Sequence, residues 1–188
     1  VLSDVLRALR LRSTVYFEAD FRAPWGMEMR SGQFAQFHLV TRGRCWLRMT
    51  GHDPLDLHTG DLVVLPHGDA HLLSHERNTR TVPAEDLIGS KYGRTDTFGG
   101  GGEATRMICG HFECDRDGPH PLLDALPSLL FLESRIEGAN NNWLHTLMKL
   151  AADESHAAGV GSSVIVDRLA EVFFIQVLCA HARRLPWT

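Results

Sequence analysis

Two periodicities divide this chain. Between about residue 12 and residue 115 the apolar residues come in short runs, several alternating with polar ones, and Gly or Pro closes most of them. The runs Thr14–Phe21, Phe34–Val40, Arg44–Met49, Leu62–Leu65, His71–Ser74 and Arg106–Glu113 predict β-strands. Ahead of them Leu2, Val5, Leu6 and Leu9 fall on one helical stripe, with Ser3 or Asp4 as its N-cap. After Gly118-Pro119 the period turns helical, and Pro121–Leu132, Asn142–Ser155 and Ser163–Arg184 are expected as helices. Asn140 to Asn142 and Ser162-Ser163 are their candidate caps. The stretch from about His75 to Glu103 is polar and ends in four glycines, Gly99 to Gly102, so it is expected as a flexible loop or flap.

Short strands without helices between them predict an antiparallel sandwich or barrel over residues 1–118. A helical extension over residues 119–188 is expected to pack on it. The last helix carries Ile165, Val166, Leu169, Val172, Phe173, Phe174, Ile175, Val177 and Leu178, leaving a narrow polar strip around Asp167, Arg168 and Glu171. A helix this apolar must be covered on more than one side, by its own barrel, a sister subunit or a further domain.

Composition narrows the function classes. A chain of 188 residues is long enough for one domain with a sizeable core. Its net charge of −4 argues against a basic face that grips nucleic acid. No apolar run reaches the roughly 18 residues of a membrane helix. Cys45, Cys109, Cys114 and Cys179 form no C-x2-C pair, so neither a zinc ribbon nor a redox motif is indicated, and a reduced, cytoplasmic protein is expected. No signal peptide is visible, and a first residue Val with an abrupt end at Thr188 leaves two expectations, an excised piece or a stand-alone protein.

The candidate chemistry lies in the strands. Alternation puts Phe34, Gln36, His38 and Val40 on one face, and Met107, Cys109, His111 and Glu113 on one face. The apolar run Leu62–Leu65 ends in a turn where Pro66 fixes φ and Gly68 permits φ > 0, and such a turn can aim His71 inward. If His38, His71 and Cys109 converge, with His67 as a fourth ligand, the donor set suits zinc. The competing readings are structural. His71 hydrogen-bonds a barrel carbonyl, His38 is a satisfied core histidine, Cys109 is a small buried hydrophobe, and His67 is solvated in its turn. No G-x-S-x-G, H-E-x-x-H or dinucleotide fingerprint occurs, and no Lys-Ser/Thr follows the glycine run to make a phosphate cradle.

Gly60, Pro66, Gly68 and His71 stand in the spacing G-x5-P-x-G-x2-H, which resembles the second signature motif of the cupin β-barrels. Phe37–Leu47 and Gly60–His71 together, with Cys109–Phe112, His120–Pro127 and Asp167–Phe174, resemble the cupin-type N-terminal regulatory domain of AraC-family transcriptional regulators. The likeness covers nearly the whole chain. It implies a mainly β fold, a cupin-like antiparallel β-barrel (double-stranded β-helix) followed by a three-helix segment. It also implies a sensor and dimerisation role, with a small-molecule effector or a metal in the barrel and a homodimer formed through the C-terminal helices. DNA would be bound only by a helix-turn-helix domain that is not in this sequence. The first cupin motif is degraded: Gln36 stands in the place of the glutamate ligand, and the preceding histidine pair is absent. That loss weighs against enzymatic turnover. The alternatives are a small metal-dependent cupin enzyme, an isomerase or dioxygenase using His38, His71 and Cys109, or a zinc-stabilised structural cupin.

Overall fold

The computed structural model describes residues 11–88, 96–114, 124–134, 142–157 and 159–184. In chain order these form β1 (Leu11–Arg22), β2 (Gly26–Met29), β3 (Ala35–Arg42), β4 (Arg44–Met49), β5 (Leu55–His58), β6 (Leu62–Leu65) and β7 (His71–Ser74). Then follow β8 (Val82–Pro83), α1 (Ala84–Ile88), β9 (Asp96–Gly99), β10 (Ala104–Cys114), β11 (Leu130–Leu132), α2 (Asn142–Ala157) and α3 (Ser162–Arg184). The strands pair into a six-stranded sheet, β11-β6-β3-β10-β1-β9, and a five-stranded sheet, β5-β4-β7-β2-β8. Most pairs are antiparallel, but β9 and β8 run parallel to β1 and β2.

Period-two alternation sorts the side chains into two cores. Between the sheets lie Ala19, Phe21, Trp25, Met27, Val40, Cys45, Leu47, Leu57, Val63, Leu73, Met107 and Cys109. On the other side of the six-stranded sheet, Ala35, Phe37, Leu39, Leu62, Val64, Ile108 and Phe112 form a second core with Phe173, Phe174, Val177 and Leu178 of α3. The rings of Phe37, Phe112, Phe173 and Phe174 meet there at centroid distances of 4.9–5.5 Å. The helices therefore share a core with the strands. The Ser162 hydroxyl joins α2 to α3, accepting from the Gly159 N–H at 2.9 Å and donating to Glu154 Oε1 at 2.7 Å.

Several expectations change. Leu130–Leu132 is a strand on the edge of the six-stranded sheet, paired with β6, and not the end of a helix. An apolar run this short has no period of its own, and the free edge of β6 decides its state. The described part of the expected flap contains β8, α1 and β9, and its glycine run is ordered. Gly99 has φ +92°, and a Cβ there would meet the Arg22 carbonyl oxygen at 2.2 Å; one on Gly100 would meet that of Ala23 at 2.5 Å. The Gly100 and Gly102 N–H groups donate to Arg22 and Ala23 carbonyls at 2.8 and 2.9 Å. Close backbone approach thus requires glycine here and repays its entropy. The helix expected over residues 1–9 and the boundary expected at residue 118 lie outside the described residues.

Candidate functional site

The turn after β6 forms as its residues require. Gly68 takes φ +69°, and a Cβ on it would strike the Gly32 and Phe34 carbonyl oxygens at 2.5 and 2.6 Å. The Gly32 N–H donates to the Gly68 carbonyl at 2.8 Å, so the β2–β3 loop rests on this turn. The chain then enters β7 with His71 directed between the sheets and only 2% exposed. Asp61, equally buried, accepts from the backbone N–H groups of His58 and Ser134, each at 2.8 Å, and so ties the start of β6 to the segment after β11.

His38, His71 and Cys109 come together in the interior, connected in series. His38 and Cys109 are directly opposed on β3 and β10, while His71 reaches across from the other sheet. Cys109 Sγ lies 2.9 Å from His38 Nδ1, His38 Nε2 lies 2.7 Å from His71 Nε2, and His71 Nδ1 lies 2.9 Å from the Asp69 carbonyl oxygen. A carbonyl only accepts, so His71 carries its proton on Nδ1 and its neutral Nε2 is an acceptor. His38 must then donate from Nε2, which leaves Nδ1 to accept from the Cys109 thiol. One pattern satisfies all three contacts, and the tautomers follow from that network.

Burial enforces neutrality. His38 is held well below the ordinary histidine range, first by desolvation and then by the neighbouring His71. His71 is lowered to about 4 by desolvation, with the Asp69 carbonyl and carboxylate partly opposing it. Desolvation, with Cys45 adding to it, pushes the Cys109 thiol well above its usual value. At neutral pH the series is uncharged: a thiol and two imidazoles.

This arrangement does not fit the zinc set expected from the sequence. Cys109 and His71 address opposite nitrogens of the His38 ring, so no single point is shared by all three donors. Two nitrogens on a tetrahedral zinc stand about 3.3 Å apart, whereas 2.7 Å is a hydrogen-bond length. His67 is elsewhere, half-buried in its turn, and its Nε2 donates to the Leu126 carbonyl at 3.0 Å. Among the described residues no cluster of three or more His, Cys, Asp or Glu side chains could hold a metal ion. The structural readings of His71 and His38, as hydrogen-bonded interior histidines, describe the geometry better.

A second histidine is buried on the strand that carries Cys109. His111 is 6% exposed. It stacks on Phe34 at 4.9 Å, and its Nε2 lies 2.8 Å from Glu113 Oε1. Gln36, opposite His111 in register, donates from Nε2 to the Arg30 carbonyl at 3.3 Å, and its Oε1 is buried without a partner. Alternation groups Phe34 with Gln36 and His111 with Glu113, but nothing in the spacing shows that Phe34, in the β2–β3 loop, stacks on His111.

Two solvent-open cavities flank the interior. One, of about 560 Å³, lies where β1, β3 and β10 reach their loops and is lined by Pro24, Arg44, His58, His75, Glu103 and Thr105 among others. The other, of about 430 Å³, lies at the opposite end of the strands and includes Glu28, Met29, Arg48, Met49, His52 and His71 in its wall.

Two facing sheets, a motif histidine aimed between them and helices laid on one outer face define a cupin-like barrel with a helical extension. A cupin family model, Cupin_6, matches residues 1–183, and the chain belongs to that family. It is 22% identical to the HTH-type transcriptional regulator AlkR of Acinetobacter baylyi, over 98% of this chain and 61% of that protein. A Streptomyces antibioticus protein described as an AraC-like transcription regulator is 27% identical, over 98% of this chain and 60% of its own length. The RCS-specific HTH-type transcriptional activator RclR of Escherichia coli is 24% identical over 92% of this chain and 53% of that protein. The chain thus spans about three fifths or less of these relatives. Apo ToxT of Vibrio cholerae shares the fold, with a TM-score of 0.50 at 9% identity over 92% of this chain and 57% of that one. No helix among the described residues is long and apolar enough to cross a membrane.

Proposed function

We propose that this chain is the sensor and dimerisation part of an AraC-type transcriptional regulator, in which an effector at the His71 end of the barrel changes how α3 is presented. The observation that carries the reading is that regulators match over 98% of this chain while extending well beyond it. The fold supplies a physical route. On β3, the inward His38 lies between Phe37 and Leu39, which face outward into the core shared with α3, and on β10 Cys109 alternates likewise with Ile108. A change in the interior that tilts either strand therefore moves the floor on which Phe173 and Phe174 rest. A ligand shifts such an equilibrium only by its differential affinity for the two arrangements, and a packed sheet-helix interface favours discrete ones.

The outer side of α3 supports the dimerisation half. Val164, Ile165 and Val172 are 59%, 43% and 45% exposed, with Arg168 between them paired to Glu171 at 2.7 Å. Ile165 and Val172 lie seven residues apart and therefore on one side of the helix. Light scattering on the purified chain should give a dimer, and Ile165→Glu with Val172→Glu should give a monomer; a wild-type monomer at millimolar concentration refutes this half. For the regulatory half, DNA crosslinked to the gene product that contains this chain should be enriched at discrete promoter sites. Uniform recovery across the genome would refute it.

A further inference from the structure

The interior is unusually rich in sulfur around one histidine. Of the five methionines, Met27, Met29 and Met107 contact the core between the sheets, and Met49 follows Cys45 and Leu47 in alternation on β4. Met29 and Met49 are the cross-strand partners of His71, one on each side. Directly opposed residues project from the same face with Cβ atoms about 4.5–5.5 Å apart, so two thioethers flank the imidazole in one row. All three residues line the 430 Å³ cavity, which gives the row access from solvent. His38 Nε2 faces the row from the other sheet, 2.7 Å from His71 Nε2.

We propose that Met29, His71 and Met49, with His38 as a fourth donor, form a binding site for a soft monovalent metal ion of the copper(I) and silver(I) class. Thioether sulfur and neutral imidazole are the donors such ions favour, whereas magnesium or calcium would require carboxylates. Two rotatable bonds place each methionine sulfur and a third turns its methyl aside, so both sulfurs can swing toward a common point. The Asp69 carboxylate acts on His71 through space and Glu28 alternates with Met29 at the cavity wall, both favouring a cation; Arg48, on the other face of β4 from Met49, is held by the Thr79 carbonyl at 3.2 Å. A monovalent ion therefore enters a site whose donors are neutral, with the charge of Asp69 nearby to favour it.

The hydrogen-bond series can accommodate the ion without losing a proton. The ion takes the Nε2 lone pair of His71, so His38 can no longer donate there. His38 changes tautomer: the proton leaves Nε2 and one is taken up on Nδ1, freeing Nε2 to ligate. The new Nδ1–H donates to Cys109 Sγ, and the Cys109 S–H rotates away. The His38–His71 separation must widen beyond 2.7 Å, which spreads the two sheets at β3 and β7. The metal site stands whether or not the chain serves a regulator; only transmission of this spreading to α3 rests on that reading.

The test is titration of the untagged chain with silver(I) by calorimetry, and with copper(I) by anaerobic competition against a chromophoric chelator. Both use a Cys114→Ser/Cys179→Ser background, and Met29→Leu/Met49→Leu is made in it. Leucine keeps volume and apolarity, so the fold should survive, as circular dichroism will show. The expected result is one ion per chain, not displaced by equimolar zinc(II), with affinity falling roughly a hundredfold or more in the double variant. Nitrogen NMR should show the His71 Nε2 resonance shift on silver addition. No binding, or equal binding by the double variant, overturns the site. The dimer measurement above is independent, so failure of one reading does not pass for failure of the other.

Discussion

Acidification should unlatch the interior before it protonates most of the carboxylates. His38 and His71 join the two sheets through a single N–H···N hydrogen bond of 2.7 Å, and both are neutral in the fold. In the unfolded chain each titrates near 6.5, while in the fold His71 titrates at about 4 and His38 is displaced in the same direction. Below pH 6.5 the unfolded state therefore holds more protons than the folded state, and stability falls as pH falls. It is complete above about 6.5 and drains across the window down to about 4. His71 alone should cost about 1.4 kcal/mol per pH unit there, roughly 3 kcal/mol over the window, and His38 adds to the slope. That is a large share of the 5–15 kcal/mol typical of a domain. The facing groups are Cys109 on β10, a thiol throughout this range, and Asp69 before β7, whose carboxylate partly favours His71 protonation. Around the adjoining cavity stand Glu28, Arg48 and His52, which the variants compared have in common. The assay is denaturant unfolding at half-unit pH steps from 8 to 4, for wild type and His38→Leu/His71→Leu. The wild-type curve should fall more steeply between 6.5 and 4, and the difference should vanish above 7 apart from a constant offset. Parallel curves across the whole range would refute the buried neutral pair.

Three further outcomes follow from particular contacts. Cys109→Ala leaves His38 Nδ1 without a donor in a fully buried place and should cost about 1–3 kcal/mol, whereas Cys109→Ser keeps a donor and should cost less; equal losses in thermal unfolding would argue against the thiol–imidazole bond. Gly99→Ala forces a side chain onto the Arg22 carbonyl at φ +92° and should cost about 1–3 kcal/mol or more, while Gly101, with nothing within 4 Å of its Cβ position, should accept alanine within about 0.5 kcal/mol. Phe173→Ala removes the ring between Phe37 and Phe112 and should cost about 3–5 kcal/mol in denaturant unfolding; a change below 1 kcal/mol would mean that α3 is not docked on the sheet.

The strands that alternate cleanly were legible, because a half-buried strand writes its geometry into every second residue. Arg44–Met49, Leu62–Leu65 and His71–Ser74 have the expected bounds. Gly26–Met29 and Leu55–His58 escaped because four residues carry too little period, and Leu130–Leu132 because an apolar triplet reads equally well as the end of a helix. The glycine run was invisible for another reason. Its partners, Arg22 and Ala23, are some 75 residues away, and no local pattern announces so close an approach. At the site, alternation put His38 and Cys109 each on a definite strand face, the pairing of the sheets turns both faces inward, and the Pro66–Gly68 turn aims His71. Whether three inward donors converge or form a series depends on ring rotation and on which sheet each comes from, and neither is written in spacing. Met29 and Met49 were hidden for the same reason: only the register across β2, β7 and β4 makes them neighbours of His71.

That register explains why a degraded first cupin motif need not leave the barrel inert. Substituting Gln36 for a glutamate removes the anionic donor that hard cations require, yet the interior it leaves is not merely hydrophobic. The inward positions of β2, β4, β7 and β10 hold Met29, Met49, His71 and Cys109, all neutral and polarisable, and the directional series through His38 satisfies all four ring nitrogens of His38 and His71 without a charge. A catalytic cupin would need a ligand set that survives substrate exchange in open coordination positions. A sensor needs something else: an interior with one relaxed state when empty and a different, strained or spread state when occupied. For the sensor role proposed above, the His38–His71 contact would supply that property, because inserting any group between the rings must separate strands from opposite sheets. On β3 the resulting displacement reaches Phe37 and Leu39 one residue away, and through them the aromatic cluster under α3. The absence of the hard-metal motif and the direct contact between the two sheets beneath α3 are thus two aspects of the same interior.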